Sequence, residues 1–102
     1  MVTLEEYKVI YEECHKRIET VWRRASCLRD TRFCFDASVL RTSLRSYIPT
    51  IEGVYETYTT APSYKTKDFT NYVAKLQNDV KSFEEQLKNA EEILERNRKL
   101  GY

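Results

Sequence analysis

Three long stretches of this chain place an apolar residue at alternating steps of three and four, and that spacing leaves few folds open. The first row is Leu4, Tyr7, Tyr11, Cys14, Ile18, Val21, Ala25 and Leu28, and the third is Phe69, Val73, Leu76, Val80, Phe83, Leu87, Ala90 and Leu94. A helix turns once in about 3.6 residues, so this alternation keeps one side apolar, whereas a half-buried strand needs a period of two. The middle row is Ala37, Leu40, Leu44, Tyr47, Ile51, Val54 and Tyr58, widened by Val39, Ile48 and Tyr55. A face that broad touches two neighbours, which predicts that the middle helix is the central element. Only two glycines occur in 102 residues. Sheets and phosphate loops use glycine for turns and close backbone approach, and helices need far less of it.

The ends of the three stretches carry helix punctuation. Thr3 followed by Glu6 is a capping-box pair, and Glu5, Glu6, Glu12 and Glu13 precede Arg23, Arg24 and Arg29 in the order the helix dipole favours. This predicts a helix over 4–28. Asp36 is placed to cap the second helix, inside which Pro49 deletes one backbone hydrogen bond and predicts a kink or break near Tyr47–Ile48. Thr66 or Asp68 can cap the third, predicted over 67–99, and Arg96, Arg98 and Lys99 close it before Gly101. At about 1.5 Å per residue the third helix reaches roughly 50 Å against about 36–39 Å for the others, so its end overhangs or frays. The two connections, 29–35 and 61–65, are short, which favours antiparallel neighbours. The expected fold is all-α: an antiparallel up-down-up three-helix bundle, one domain over 1–102, with its second helix kinked or broken at Pro49.

Little in the sequence points to catalysis. His15 is the only histidine, and as the neighbour of Cys14 on a helix its side chain points about 100° away from the thiol. The acidic pairs Glu12-Glu13, Glu84-Glu85 and Glu91-Glu92 fall on solvated faces, and there is no glycine-rich phosphate loop. A non-enzymatic protein without a cofactor is expected. Cys27 and Cys34 bracket the first connection but lack the close knuckle and second ligand pair of a metal site. Free thiols, a bridge between the two and a metal site all stay open. A charged fraction of 32% with net charge +1, and no apolar run near the ~20 residues a bilayer needs, fit a soluble cytoplasmic protein.

Two features suggest binding. Eight tyrosines and several apolar residues off the main rows (Val9, Ile10, Trp22, Val39, Ile48, Tyr55, Ile93) exceed what one seam per helix uses. Tyr and Trp supply large contact area at low entropy cost. The favoured expectation is a protein-protein interaction module that takes a peptide or helix, or a second copy of itself, in an apolar groove beside the central helix. Its contacts would be Trp22, Tyr47, Ile48, Tyr55 and Tyr58, with the turn displaced at Pro49 opening the groove. The alternative is anion or nucleic-acid binding around the first connection. The stretch 16–45 carries about +5, and Arg23, Arg24, Arg29, Arg32, Arg41 and Arg45 are interleaved there with Trp22, Phe33 and Phe35.

In general character the whole chain resembles the small orphan proteins of viruses that infect hyperthermophilic crenarchaea, such as the Acidianus filamentous viruses. It is rich in Tyr, Glu and Arg, poor in Gln, and opens Met1-Val2-Thr3-Leu4-Glu5-Glu6-Tyr7-Lys8. The resemblance includes no motif, so it assigns no residue a role. It implies an intracellular viral protein acting through protein–protein contact, and it favours a Cys27–Cys34 bridge, because such hosts tolerate cytoplasmic disulfides. Tubulin-binding cofactor A is similar in architecture alone; the proline inside the second helix and the arginine-rich turn set this chain apart.

Overall fold

A computed structural model describes residues 1–28 and 36–100, with Asp36 and Asn97 described by their backbone only. Among these residues the chain is all-helical and contains no strand. Its helices are α1 (Leu4–Ser26), α2 (Asp36–Thr60) and α3 (Thr70–Lys99), with a 3-10 turn at Pro62–Tyr64 before α3.

The predicted rows become the core. Leu4, Tyr7, Tyr11, Cys14, Ile18, Val21 and Ala25 of α1 are buried against Leu40, Leu44 and Ile51 of α2 and against Phe69, Val73, Leu76, Val80 and Leu87 at and along α3. Ala37 and Ala90 form a small second cluster with Leu28, Ile93 and Leu94 at one end. Alanine there lets α2 and α3 approach closely where α1 is ending. The molecule is a slender helical bundle, 57 Å long and 20 × 16 Å across.

Local chemistry explains where the helices begin and end. Thr3 caps α1, its hydroxyl accepting from the Glu6 amide at 3.2 Å, and that hydroxyl in turn donates to the Glu6 carboxylate. Of the two candidates for the start of α3, Asp68 does the capping: its Oδ1 accepts from the Thr70 amide at 3.0 Å and from the Val2 amide at 3.1 Å. These bonds to the charged form hold the Asp68 carboxyl below its usual range, the Thr70 hydroxyl contributing most. The Phe69 amide donates to the Val2 carbonyl at 2.9 Å, which ties the start of the chain to the start of α3.

α2 runs through Pro49 without interruption, so of the kink or break expected near Tyr47–Ile48 the break does not occur. Proline removes one helical hydrogen bond and crowds the carbonyl four residues back. Here Pro49 is on the exposed side, while Leu44, Tyr47, Ile48 and Ile51 on either side of it pack on the core. Burial on both sides of the proline outweighs a local cost of about 3 kcal/mol. The connection 29–35 lies outside the described residues.

Contacts between helices keep a regular order. From α1 to α3 they advance together: Arg17 pairs with Glu84, and Arg24 with Glu91 one heptad on. Val2 with Phe69 continues the same series at the start. From α1 to α2 they run oppositely, from Tyr11 with Tyr55, through His15 with Glu52, to the Ala25 carbonyl with Arg41.

Candidate functional site

Tyrosines dominate one end of the bundle. Tyr7 is fully buried and touches the rings of Tyr11, Tyr55, Tyr58, Phe69 and Tyr72, lying flat on Phe69 at 4.8 Å. Tyr11 stacks on Tyr55 with centroids 3.9 Å apart. Loss of water raises the phenol pKa of Tyr7, Tyr11 and Tyr72. Burial pushes Tyr11 up to about 12, with the Glu52 carboxylate adding to the shift, and it pushes Tyr7 well above the ordinary range, with the Tyr72 phenol next in effect. The Tyr7 hydroxyl is buried with no hydrogen-bond partner. Tyr72 is thus close enough to act electrostatically but stands outside bonding geometry.

Of the five residues expected to bind a partner, Tyr55 and Tyr58 fall in this cluster and are half-buried against the core. Tyr47 is placed elsewhere, against Phe83, and its hydroxyl donates to Asp79 Oδ2 at 3.2 Å. Burial and the Asp79 charge raise its pKa. Ile48 is half-buried on the core beside it. Trp22 sits on α1 in a shallow depression with Glu19, Arg23, Ser26 and Cys27. The structure therefore groups Tyr55 with Tyr58 around Tyr7, sets Tyr47 against α3, and places Trp22 at a separate depression on α1.

A small groove between α2 and α3 remains open. Its volume is about 130 Å³, and Tyr47, Ile51, Val54, Tyr72 and Leu76 line it, with Thr50, Lys75 and Asp79 alongside. Lys75 donates to the same Asp79 oxygen as Tyr47, at 3.0 Å, so the polar groups at its edge are matched. Thr50 and Ile51 follow Pro49 directly, so the groove adjoins the turn in which Arg45 lacks its usual amide donor. A wider depression of about 550 Å³ between Thr3–Lys8 and Thr59–Lys65 sets Leu4, Ala61 and Pro62 among Thr3, Glu5, Lys8, Thr60 and Lys65, and no aromatic ring lines it.

Three arginines are engaged by other parts of the molecule. Arg24 forms a two-pronged pair with Glu91, and Arg17 does the same with Glu84, lowering the Glu84 pKa through those hydrogen bonds. Arg41 Nη1 donates to the Ala25 and Leu28 carbonyls, both at 3.1 Å, and so closes the end of α1 from a neighbouring helix. Arg23 and Arg45 are exposed, while Arg29 and Arg32 lie outside the described residues. The arrangement at Arg41 was not anticipated from the sequence. The Arg17/Arg24 and Glu84/Glu91 spacing, seven residues in each helix, is a signal that could have revealed the ladder.

Cys14 is buried and Cys27 is an exposed free thiol, while Cys34, the other half of the expected bridge, lies outside the described residues. Among the described residues no group of three His, Cys, Asp or Glu is arranged to hold a metal, and no helix is long and apolar enough to cross a membrane. His15 lies between Glu19 and Glu52, its two ring nitrogens 3.3 Å from a carboxylate oxygen of each. Compared with protein-family models, curated proteins and solved structures, the chain matches none.

Proposed function

We propose that this protein is a small non-enzymatic interaction module of the cytoplasm that docks a helix, from a partner or from a second copy of itself, in the groove between α2 and α3. The three helices form an up-down-up bundle in which α2 runs antiparallel to both neighbours, a topology supported by the opposed order of α1–α2 contacts and the shared order of α1–α3 contacts. The observation that carries the proposal is the groove itself. It has an apolar floor built from Tyr47, Ile51, Val54, Tyr72 and Leu76, and a charged pair, Lys75 with Asp79, fixes register at its edge. Aromatic anchors surrounded by matched polar groups are what helix-in-groove recognition uses. A guest helix supplies apolar side chains at steps of three and four to this floor.

Sedimentation across a wide concentration range, combined with capture of helical peptides, tests this. Thr50→Arg fills the groove from an exposed position and is expected to abolish association while leaving the fold unchanged. A strict monomer that retains no helix, or association indifferent to Thr50→Arg, would refute it.

A further inference from the structure

We propose that Tyr58 and Phe69 form a binding corner for a quaternary or methylated ammonium group, and that the chain's own Lys67 occupies it in this conformation. The two rings stand at 82° to one another with centroids 5.2 Å apart, the arrangement of two adjoining walls. Lys67 Nζ lies 5.7 Å from the Tyr58 centroid and 6.0 Å from that of Phe69. A ring face carries negative quadrupole potential and attracts a cation within about 6 Å, so two faces meeting at a right angle converge on one ammonium position.

Both walls are held from behind. Tyr7 lies flat on Phe69 at 4.8 Å, and Tyr64 and Tyr72 meet Tyr58 edge-on at 4.7 and 5.8 Å. Such rings keep their positions when the cation leaves, which is the condition for a preorganised site. Among the described residues no carboxylate forms an ion pair with Lys67. Its sequence neighbour Asp68 is engaged with Val2 and Thr70. Ring faces are therefore what the ammonium rests against.

Lys67 lies outside any helix, between the Pro62–Tyr64 turn and α3, and its side chain is exposed, whereas Phe69 has no exposed surface while Lys67 lies over it. The lysine leaves by rotation about its own bonds and uncovers the corner. A primary ammonium is strongly hydrated and returns readily to water. A methylated ammonium gives up less hydration and presents carbon to both rings, so it is the better ligand for the same position. The two walls, Tyr58 and Phe69, do not line the α2–α3 groove, and Tyr72, which lines the groove and stands behind Tyr58, is left unchanged in every variant used at either site, so the two sites succeed or fail separately.

The test is titration of the labelled full chain with tetramethylammonium chloride, following ring resonances of Tyr58 and Phe69 by NMR, with sodium chloride and tert-butanol as controls. Lys67→Ala is expected to give saturable shifts at these rings, with an apparent affinity several-fold tighter than wild type because no internal ammonium competes. Tyr58→Leu, checked for retained resonance dispersion, is expected to lose them. Free trimethyl-lysine and choline, titrated separately, distinguish a side-chain source from a headgroup source of the same cation. Absence of saturable shifts in Lys67→Ala, equal shifts with tert-butanol, tighter binding by wild type, or binding that survives in folded Tyr58→Leu would each overturn the proposal.

Discussion

Removing one oxygen atom from the aromatic end of the core is expected to make this protein more stable. Tyr7 has no exposed surface, five aromatic rings surround it, and its hydroxyl is buried without a partner. Burying a hydroxyl with no hydrogen bond costs about 1–3 kcal/mol relative to leaving it in water. Tyr7→Phe removes that penalty and leaves a void smaller than a methyl group, worth under about 1 kcal/mol against it. The expected net gain is about 1 kcal/mol, which in a domain of this size raises Tm by roughly 4–8 °C. Guanidinium unfolding followed by Trp22 fluorescence and by circular dichroism measures it, with the same dependence on denaturant in both proteins. Loss of about 1 kcal/mol or more would refute the reasoning, because it would mean that the hydroxyl is bonded, with Tyr72 the only phenol placed to do so by its effect on Tyr7. A double-mutant cycle with Tyr72→Phe separates the cases: coupling near zero is expected.

Four further outcomes follow from the same packing. Pro49→Ala is expected to stabilise by about 1–3 kcal/mol, since the helix is already continuous and the site exposed, and Gly53→Ala by about 0.5–1 kcal/mol, since an added Cβ meets nothing within 4 Å; thermal unfolding reads both. Arg41→Met keeps the aliphatic stem but removes two donors from the end of α1, and a loss of about 1–2 kcal/mol in denaturant unfolding is expected. Burial raises the pKa values of Tyr7, Tyr11, Tyr47 and Tyr72, so above the unfolded value of about 10 the unfolded chain releases protons that the folded chain keeps. Stability is therefore expected to be insensitive to pH through the tyrosines below about pH 10 and to fall as pH rises, through the Tyr11 value of about 12, with a shallower fall in Tyr7→Phe.

The helices were legible because their signals were redundant. Every position of the first row from Leu4 to Ala25 is buried, and Thr3 and Asp68 cap where their side chains suggested. Of the kink or break expected at Pro49, the break does not occur for a physical reason: propensity is a local cost, and buried residues on both sides of the proline hold α2 to the core. The surplus tyrosines were harder to place. Whether Tyr55 faces solvent or stacks on Tyr11 depends on the register between helices, which no single helix encodes. Arg41 belongs to the same class of problem, since its partners are carbonyls of another helix. The α2–α3 groove was anticipated only as a place beside the central helix. Its other wall, Tyr72, Lys75, Leu76 and Asp79, was not named, because Asp79 and Lys75 read as solvated charges until Tyr47 is set against them.

Groove, ammonium corner and capping by Arg41 all depend on α1 and α3 running the same way with α2 reversed. A nitroxide on the exposed Cys27, in a chain carrying Cys14→Ser and Cys34→Ser, tests that direction by paramagnetic broadening of amide resonances. Strong broadening is expected in α3 around Lys88–Ile93 and at the start of α2 around Ala37–Arg41, with Thr60 and Thr70–Val73 unaffected at the far end of the 57 Å body. Broadening at Thr70–Val73 with Lys88–Ile93 left sharp would contradict it.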